Sequence, residues 1–99
     1  MKMQQEQRLL AFVASQDSSV VHIHLDKAGV DKLINVLEQI RRKLQNDEVE
    51  HDHLFSEDWG GYDLTISDQL DNEKGEPVHH VKIFGWNEEW AEKHGFYKN

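Results

Sequence analysis

The stretch VVHIHLDKAGVDKLINVLEQIRRKLQ, residues 20–45, decides the fold because its periodicity changes once, at Asp26. Before Asp26, apolar residues alternate with histidines, which predicts a half-buried strand. Val21, Ile23 and Leu25 share its inner face, and both imidazoles lie on the wetter side. After the Asp26 cap, apolar residues recur every three or four positions, which predicts one long surface helix. The predicted apolar stripe consists of Val30, Leu33, Ile34, Leu37, Ile40 and Leu44.

Patterns on both sides of this stretch complete an α+β domain that spans residues 1–99, with residues 1–7 as a polar arm, ordered or disordered. A short helix from Glu88 to His94 follows an Asn87 cap. The predicted strands are 8–14, 20–25, 49–55, 62–67 and 78–86. The apolar run 8–14 would also fit a helical turn, and the turn residues at 15–19 before the next strand favour a hairpin. The order β-β-α-β-β-β-α predicts a mostly antiparallel sheet of four or five strands with one long helix packed on one face.

Composition limits the classes of function. The chain has 11 basic and 19 acidic residues, a net charge of −8, which argues against nucleic acid and favours a basic protein partner. The absence of cysteine excludes disulfides and thiolate chemistry. No apolar run approaches the ~20 residues that a membrane span needs, so no membrane partner is expected. The polar N-terminus lacks a signal-peptide core, which predicts a cytoplasmic protein.

A second stretch, HDHLFSEDWGGYDL at residues 51–64, concentrates the residues suited to recognition. One helix covers only one face of a sheet, so the other face is left for water or a partner. Trp59 and Tyr62 lie beside a Gly-Gly pair, and exposed rings of this kind anchor protein interfaces; a core position is the alternative. The candidate partner-binding residues are His51, His53, Glu57, Asp58, Trp59, Tyr62 and Asp63.

The histidines support a second hypothesis, a small metal-binding protein. An H-x-H pair places two imidazoles on one face of a strand about 7 Å apart. Two such pairs on neighbouring strands would surround Zn²⁺ or Ni²⁺. Histidines on exposed strand faces are also ordinary cross-strand neighbours, so no cofactor is predicted and metal remains the alternative. The candidate metal ligands are His22, His24, His51 and His53.

Enzyme chemistry is the third possibility that the sequence raises. Ser56 with a nearby histidine and aspartate suggests a hydrolase, but no G-x-S-x-G elbow supports it. Paired acids such as Glu57 with Asp63 suggest a glycosidase, yet 19 acids in a small chain produce such pairs by chance. The sequence therefore predicts that the protein is not an enzyme.

Three groups of residues resemble a bacterial toxin-immunity family. The first is a strand that leads into an acid-capped helix, Ile23-His24-Leu25-Asp26 with Gly29, Leu33 and Leu37. The second is the motif His51-x-His53-Leu54-x-Ser56-x-x-Trp59-Gly60-Gly61-x-x-Leu64. The third is the late strand His79-His80-Val81-Lys82-Ile83-Phe84-x-Trp86. Together they span residues 20–86 and are similar to the family named immunity protein 32, found in polymorphic toxin systems.

This resemblance implies a non-enzymatic antidote that binds and neutralises a cognate toxin, often encoded beside it. The acidity of the chain would suit a basic toxin such as a nuclease, by analogy alone. No toxin contact carries over residue by residue. A homodimer that buries the open sheet face against itself is a structural alternative.

Overall fold

The computed structural model of the chain describes residues 7–48, 50–67, 70 and 75–97. Its elements, in chain order, are β1 Leu10–Ala14, β2 Val21–Leu25, α1 Lys27–Gln45, β3 Glu50–Phe55, β4 Glu76–Pro77, β5 His80–Gly85 and α2 Glu88–Lys93. A 3₁₀ turn, Glu57–Trp59, follows β3. The α+β class is confirmed, and the order of strands and helices roughly matches the prediction, although the fourth strand lies at Glu76–Pro77 and not at the predicted 62–67. Of the predicted polar arm, only Gln7 lies within the described residues.

The described strands form two small antiparallel sheets rather than the one larger sheet that was predicted. One sheet has the order β2-β1-β4, and the other joins β3 to β5. The predicted strand at 62–67 is wrong, because Leu64 forms only an isolated parallel bridge to Ser56. Thr65 explains the difference: its amide donates to the Leu10 carbonyl, and its hydroxyl accepts from the Leu10 amide. The backbone here is therefore tied to the start of β1 instead of joining a ladder.

Helix α1 begins and ends where the sequence predicts. The Asp26 carboxylate accepts a hydrogen bond of 2.8 Å from the Gly29 amide, which stabilises the first turn. Backbone hydrogen bonds from Leu9 and Gly29 lower the pKa of Asp26, because they favour its charged form. Arg42 and Lys43 complement the dipole in the last turn. Among the described residues, no helix is both long and apolar enough to cross a membrane.

The core lies between α1 and the facing sides of the strands. Its buried cluster is Leu10, Val36, Ile40, Leu54 and Leu64, with Phe12, Leu44, Val81 and Ile83 packed against it. Gly85 lets α1 approach β5 closely, because a Cβ at that position would overlap the Ile40 side chain. The predicted stripe of α1 is only partly buried, and Val36, which the stripe omits, lies in the core. The exposed members of the stripe are Val30, Ile34 and Leu37.

Strand β2 differs most from its prediction. The side chains of Val21, Ile23 and Leu25 are exposed, although the alternation predicts that they face inward to a core. The register pairs Ile23 with Phe12 and Leu25 with Leu10, so this apolar face does lie on the core side of its sheet. The core residues of α1 cluster with β1, β3 and β5 instead. The outer strand is therefore left uncovered.

Candidate functional site

The face of the β3–β5 sheet that turns away from the core carries a row of rings. Alternate residues of a strand point to opposite faces, and the alternate set that contains Leu54 points into the core. The opposite set is therefore directed outward from both strands. Its cross-strand pairs are His51 with Phe84, His53 with Lys82, and Phe55 with His80, and we call these six residues the aromatic–imidazole face.

The rings of the aromatic–imidazole face contact one another. The ring centroids of Phe55 and His80 are 4.4 Å apart, those of His53 and His80 are 5.0 Å apart, and both pairs are nearly parallel. The Lys82 ammonium lies 4.7 Å from the centroid of the Phe84 ring, a cation–π contact. These contacts order the side chains in the free protein, which reduces the entropy lost when a partner binds.

One hydrogen bond links the two strands across this face. Nδ1 of His53 lies 2.8 Å from Nε2 of His80, and such a bond needs one N–H donor and one unprotonated acceptor. Burial lowers the pKa of His53, and the positive charges of His80 and Lys82 act in the same direction. The neutral form of His53 is therefore favoured, and it presents a flat, weakly polar ring to a partner.

The loop after β3 has a fixed backbone. The amides of Asp63 and Leu64 donate to the Phe55 carbonyl at 2.9 and 3.0 Å, and the Gly61 amide donates to the Ser56 carbonyl at 2.9 Å. A Cβ at Gly61 would crowd the Phe55 backbone and Cβ, so glycine permits this close approach. The loop is consequently positioned before any partner arrives.

Two large rings project from this fixed loop. Trp59 is 60% exposed and Tyr62 is 83% exposed, which favours the interface interpretation of both over the core one. Trp59 stacks on the imidazole of His79, with 5.5 Å between centroids and 10° between planes. His79 directly precedes strand β5, so this stack places the Trp59 ring beside the start of that strand. Glu57 and Asp58, in the 3₁₀ turn, are exposed acids beside Trp59.

Asp63 differs from the other candidates because its carboxylate is already engaged. One oxygen accepts from the Phe55 amide at 3.1 Å, and the other lies 3.4 Å from Nζ of Lys32. Both side chains of the Asp63–Lys32 pair are largely shielded from water. Asp63 therefore holds the loop against α1.

Ser56 and His79 form the pair that comes nearest to the hydrolase interpretation. The Ser56 Oγ lies 2.7 Å from Nδ1 of His79, and the Ser56 amide donates to the His79 carbonyl at 2.9 Å. Ser56 is completely buried, so a substrate cannot reach its hydroxyl in this conformation. The two hydrogen bonds instead fasten the end of β3 to the residue before β5.

The two H-x-H pairs do not meet in the chain. His22 and His24 lie on β2, whereas His51 and His53 lie on β3, which belongs to the other sheet. In the part of the chain that the structure describes, no three His, Cys, Asp or Glu side chains form a group that could hold a metal ion. The four predicted ligands are therefore not assembled within one copy of the protein.

The partner-binding residues predicted from the sequence lie within residues 51–64. They omit the half of the aromatic–imidazole face that β5 contributes. His80, Lys82 and Phe84 alternate with core residues, and this alternation was a usable signal. The missing information was the register, because no local pattern states that β5 pairs with β3.

Comparison of the chain with protein-family models, with curated proteins and with solved structures finds no match. The resemblance to the immunity family therefore stays a prediction. Function has to be inferred from the surface features themselves, the 57–64 loop and the aromatic–imidazole face.

Proposed function

We propose that this protein is a non-enzymatic binding protein that captures and neutralises a cognate bacterial toxin through protein–protein contacts. The observation that carries the binding proposal is the exposure of Trp59 and Tyr62 on a loop with a fixed backbone. Aromatic side chains offer large contact areas and lose little conformational entropy when they bind. The resemblance of the 51–64 motif to immunity proteins supports a toxin as the partner.

The surface around these two rings has the composition of a protein interface. Phe55 and His80 form a stacked, half-buried centre on the aromatic–imidazole face, which also carries the exposed Lys82. Glu57 and Asp58 are exposed in the loop beside Trp59. Interfaces commonly combine an aromatic centre with a polar rim that meets solvent. A partner that covers both the loop and the aromatic–imidazole face would bury this centre.

The charge of the chain favours a basic partner. A net charge of −8 accelerates encounter with a positively charged protein and disfavours acidic competitors. A toxin that acts on nucleic acid would carry such a positive surface. The cytoplasm is the compartment that we infer for this encounter, because a toxin of that kind has its target there.

The proposal predicts that a toxin is encoded beside this gene, and the test titrates a catalytically inactive variant of that toxin domain by calorimetry. We expect one-to-one binding, weakened at least about tenfold by Tyr62→Ala and by Trp59→Ala, as for interface anchors. Thermal unfolding should remain unchanged in Tyr62→Ala, because that side chain is 83% exposed.

Tyr97→Ala is the matched control, since Tyr97 is also an exposed tyrosine but lies outside the loop and the aromatic–imidazole face. The affinity of the Tyr97→Ala variant for the toxin domain should equal that of the wild type. Unchanged binding in both loop variants, or equal weakening by Tyr97→Ala, would reject this surface. Cells that express the active toxin should grow with the wild-type protein, and failure of that rescue would reject the toxin as partner.

A further inference from the structure

Strand β2 has an open edge. Within the described residues β2 pairs only with β1 and ends its sheet. The Ser15 amide donates to the Val20 carbonyl, and the Asp26 amide donates to the Leu9 carbonyl. Backbone groups of a strand alternate between its two edges, so even-numbered residues from 20 to 26 face β1. The amides and carbonyls of Val21, Ile23 and Leu25 therefore point outward at the free edge.

This edge lacks the usual protection against pairing. Natural edge strands carry lysine, proline or bulges that oppose association, whereas residues 18–25 contain no charged residue and no proline. The side chains of Val21, Ile23 and Leu25, on the core-side face of the strand, are between 38% and 55% exposed.

A second copy of β2 fits the edge by symmetry. Only Val21, Ile23 and Leu25 present free backbone groups, so a two-fold antiparallel pairing has to set odd-numbered residues opposite one another, and the possible axes differ in how many of these groups they pair. Centring on Ile23 pairs the whole strand, with Val21 opposite Leu25 of the second copy, and satisfies all six groups of each copy. In this register His22 stands opposite His24 of the second copy in a pair without mutual hydrogen bonds, where side chains approach most closely.

We propose that two copies of this chain pair antiparallel through β2, centred on Ile23, and that His22 and His24 of both copies bind one divalent transition-metal ion between them. Within one copy the two rings stack with 6.5 Å between centroids and 16° between planes. The pairing places two such imidazole pairs side by side on one face. Four imidazole nitrogens are a suitable ligand set for Zn²⁺ or Ni²⁺.

Of the two H-x-H pairs, only His22 and His24 have no side-chain hydrogen bond at either imidazole within the described residues, because His53 of the other pair bonds to His80. His53, His79 and His80 all form side-chain hydrogen bonds within the chain. The rings of His22 and His24 contact each other but form no hydrogen bond with a described residue. Their nitrogens are therefore available as ligands.

Local charges at the contact also favour this arrangement, although the net charge opposes it. Two chains of charge −8 repel each other, and a divalent cation at the contact offsets part of that repulsion. Antiparallel pairing brings Lys27, just after β2, next to the 15–19 turn of the second copy. Hydrogen bonds from Ser19 and Ser15 lower the pKa of Asp17 in that turn to about 2, so Asp17 stays negative and complements Lys27.

The experiment is sedimentation and calorimetry on the full chain without an affinity tag, in EDTA and then with ZnCl₂. We expect Zn²⁺ to double the 11.6 kDa mass and to bind with a stoichiometry of one ion per two chains. His22→Ala with His24→Ala should abolish both effects. Ile23→Lys should prevent the dimer by placing two ammonium groups at the symmetry axis, and it should leave the fold intact because Ile23 is exposed.

The matched control is His51→Ala with His53→Ala, which removes the other H-x-H pair and should still dimerise with Zn²⁺. The proposal is overturned by a protein that stays monomeric with Zn²⁺, by a dimer equally stable in EDTA, or by a dimer unaffected by loss of His22 and His24. None of these outcomes depends on toxin binding, so the two proposals fail separately.

Discussion

Leu54 on β3 and Ile23 on β2 are both apolar residues of alternating strands, and both point to the core side of their sheets. Leu54 is 1% exposed, whereas Ile23 is 49% exposed. Helix α1 packs its buried residues against Leu54 and the strand beside it, but leaves β2 uncovered. Alternation therefore shows which side chains share a face, while burial depends on whether another element lies over that face.

The histidines of the same two strands show a parallel contrast. On β3, His51 and His53 belong to a row of ring contacts that continues onto β5. On β2, His22 and His24 contact only each other among the described rings. The same H-x-H pattern thus gives a packed surface in one sheet and two free imidazoles in the other, which is why we assign the two strands different partners.

The largest expected effect comes from truncating each of these two apolar residues. Leu54→Ala should reduce the free energy of unfolding by about 2–5 kcal/mol, since it opens a cavity in the core. Ile23→Ala should change it by less than about 0.5 kcal/mol, as expected for a surface site. Urea unfolding in EDTA, where the proposed metal-bound dimer would not form, measures both. Comparable losses in the two variants would mean that the β2 face is covered after all.

A smaller effect is expected from the pair that fastens the loop. Ser56→Ala removes the partner of His79 Nδ1 at a completely buried position, so it should destabilise the protein by about 1–3 kcal/mol. Ser19→Ala is the control, because Ser19 makes hydrogen bonds to Asp17 at the exposed surface. Its loss should be within about 0.5 kcal/mol. Equal losses would show that burial does not set the strength of these bonds.

Local features of the fold were predictable from the sequence. Asp26 caps α1 and Asn87 caps α2, as expected, because a cap depends on neighbours three residues away. The spacing of apolar residues at every third or fourth position predicted the length of α1, because this spacing is also a local feature of the sequence. The stripe was correct at Ile40 but wrong at Ile34, because the part of a helix that becomes buried depends on where the sheets lie.

Non-local features were not predictable. The division into two sheets arises from pairings such as Val13 with Pro77, which no local pattern specifies. The candidate site was found in part: Trp59 and Tyr62 stood out beside Gly-Gly. The contribution of β5 depends on register, and the engagement of Asp63 depends on a lysine of α1 far away in sequence.

The smallest expected effect concerns pH and the aromatic–imidazole face. The pKa of His53 in the folded protein lies below its ordinary value of 6.5, chiefly because of burial. The unfolded chain therefore binds more protons than the folded one as pH falls through 6.5, so folding stability is greatest above that pH and declines below it. Protonation of the acceptor nitrogen at low pH would also break the His53–His80 hydrogen bond, which lowers folding stability further.

His53→Phe isolates this effect, because phenylalanine preserves a stacking ring but cannot take up a proton. The urea concentration at the unfolding midpoint should fall between about pH 7.5 and about pH 5.5, and it should fall further in the wild type than in the variant. Only the wild type has this proton to gain on unfolding. An equal or smaller decrease in the wild type would show that His53 titrates alike in both states. It would also weaken the contrast with β2, because the contacts of the aromatic–imidazole face would then have no measurable effect on the protonation of His53.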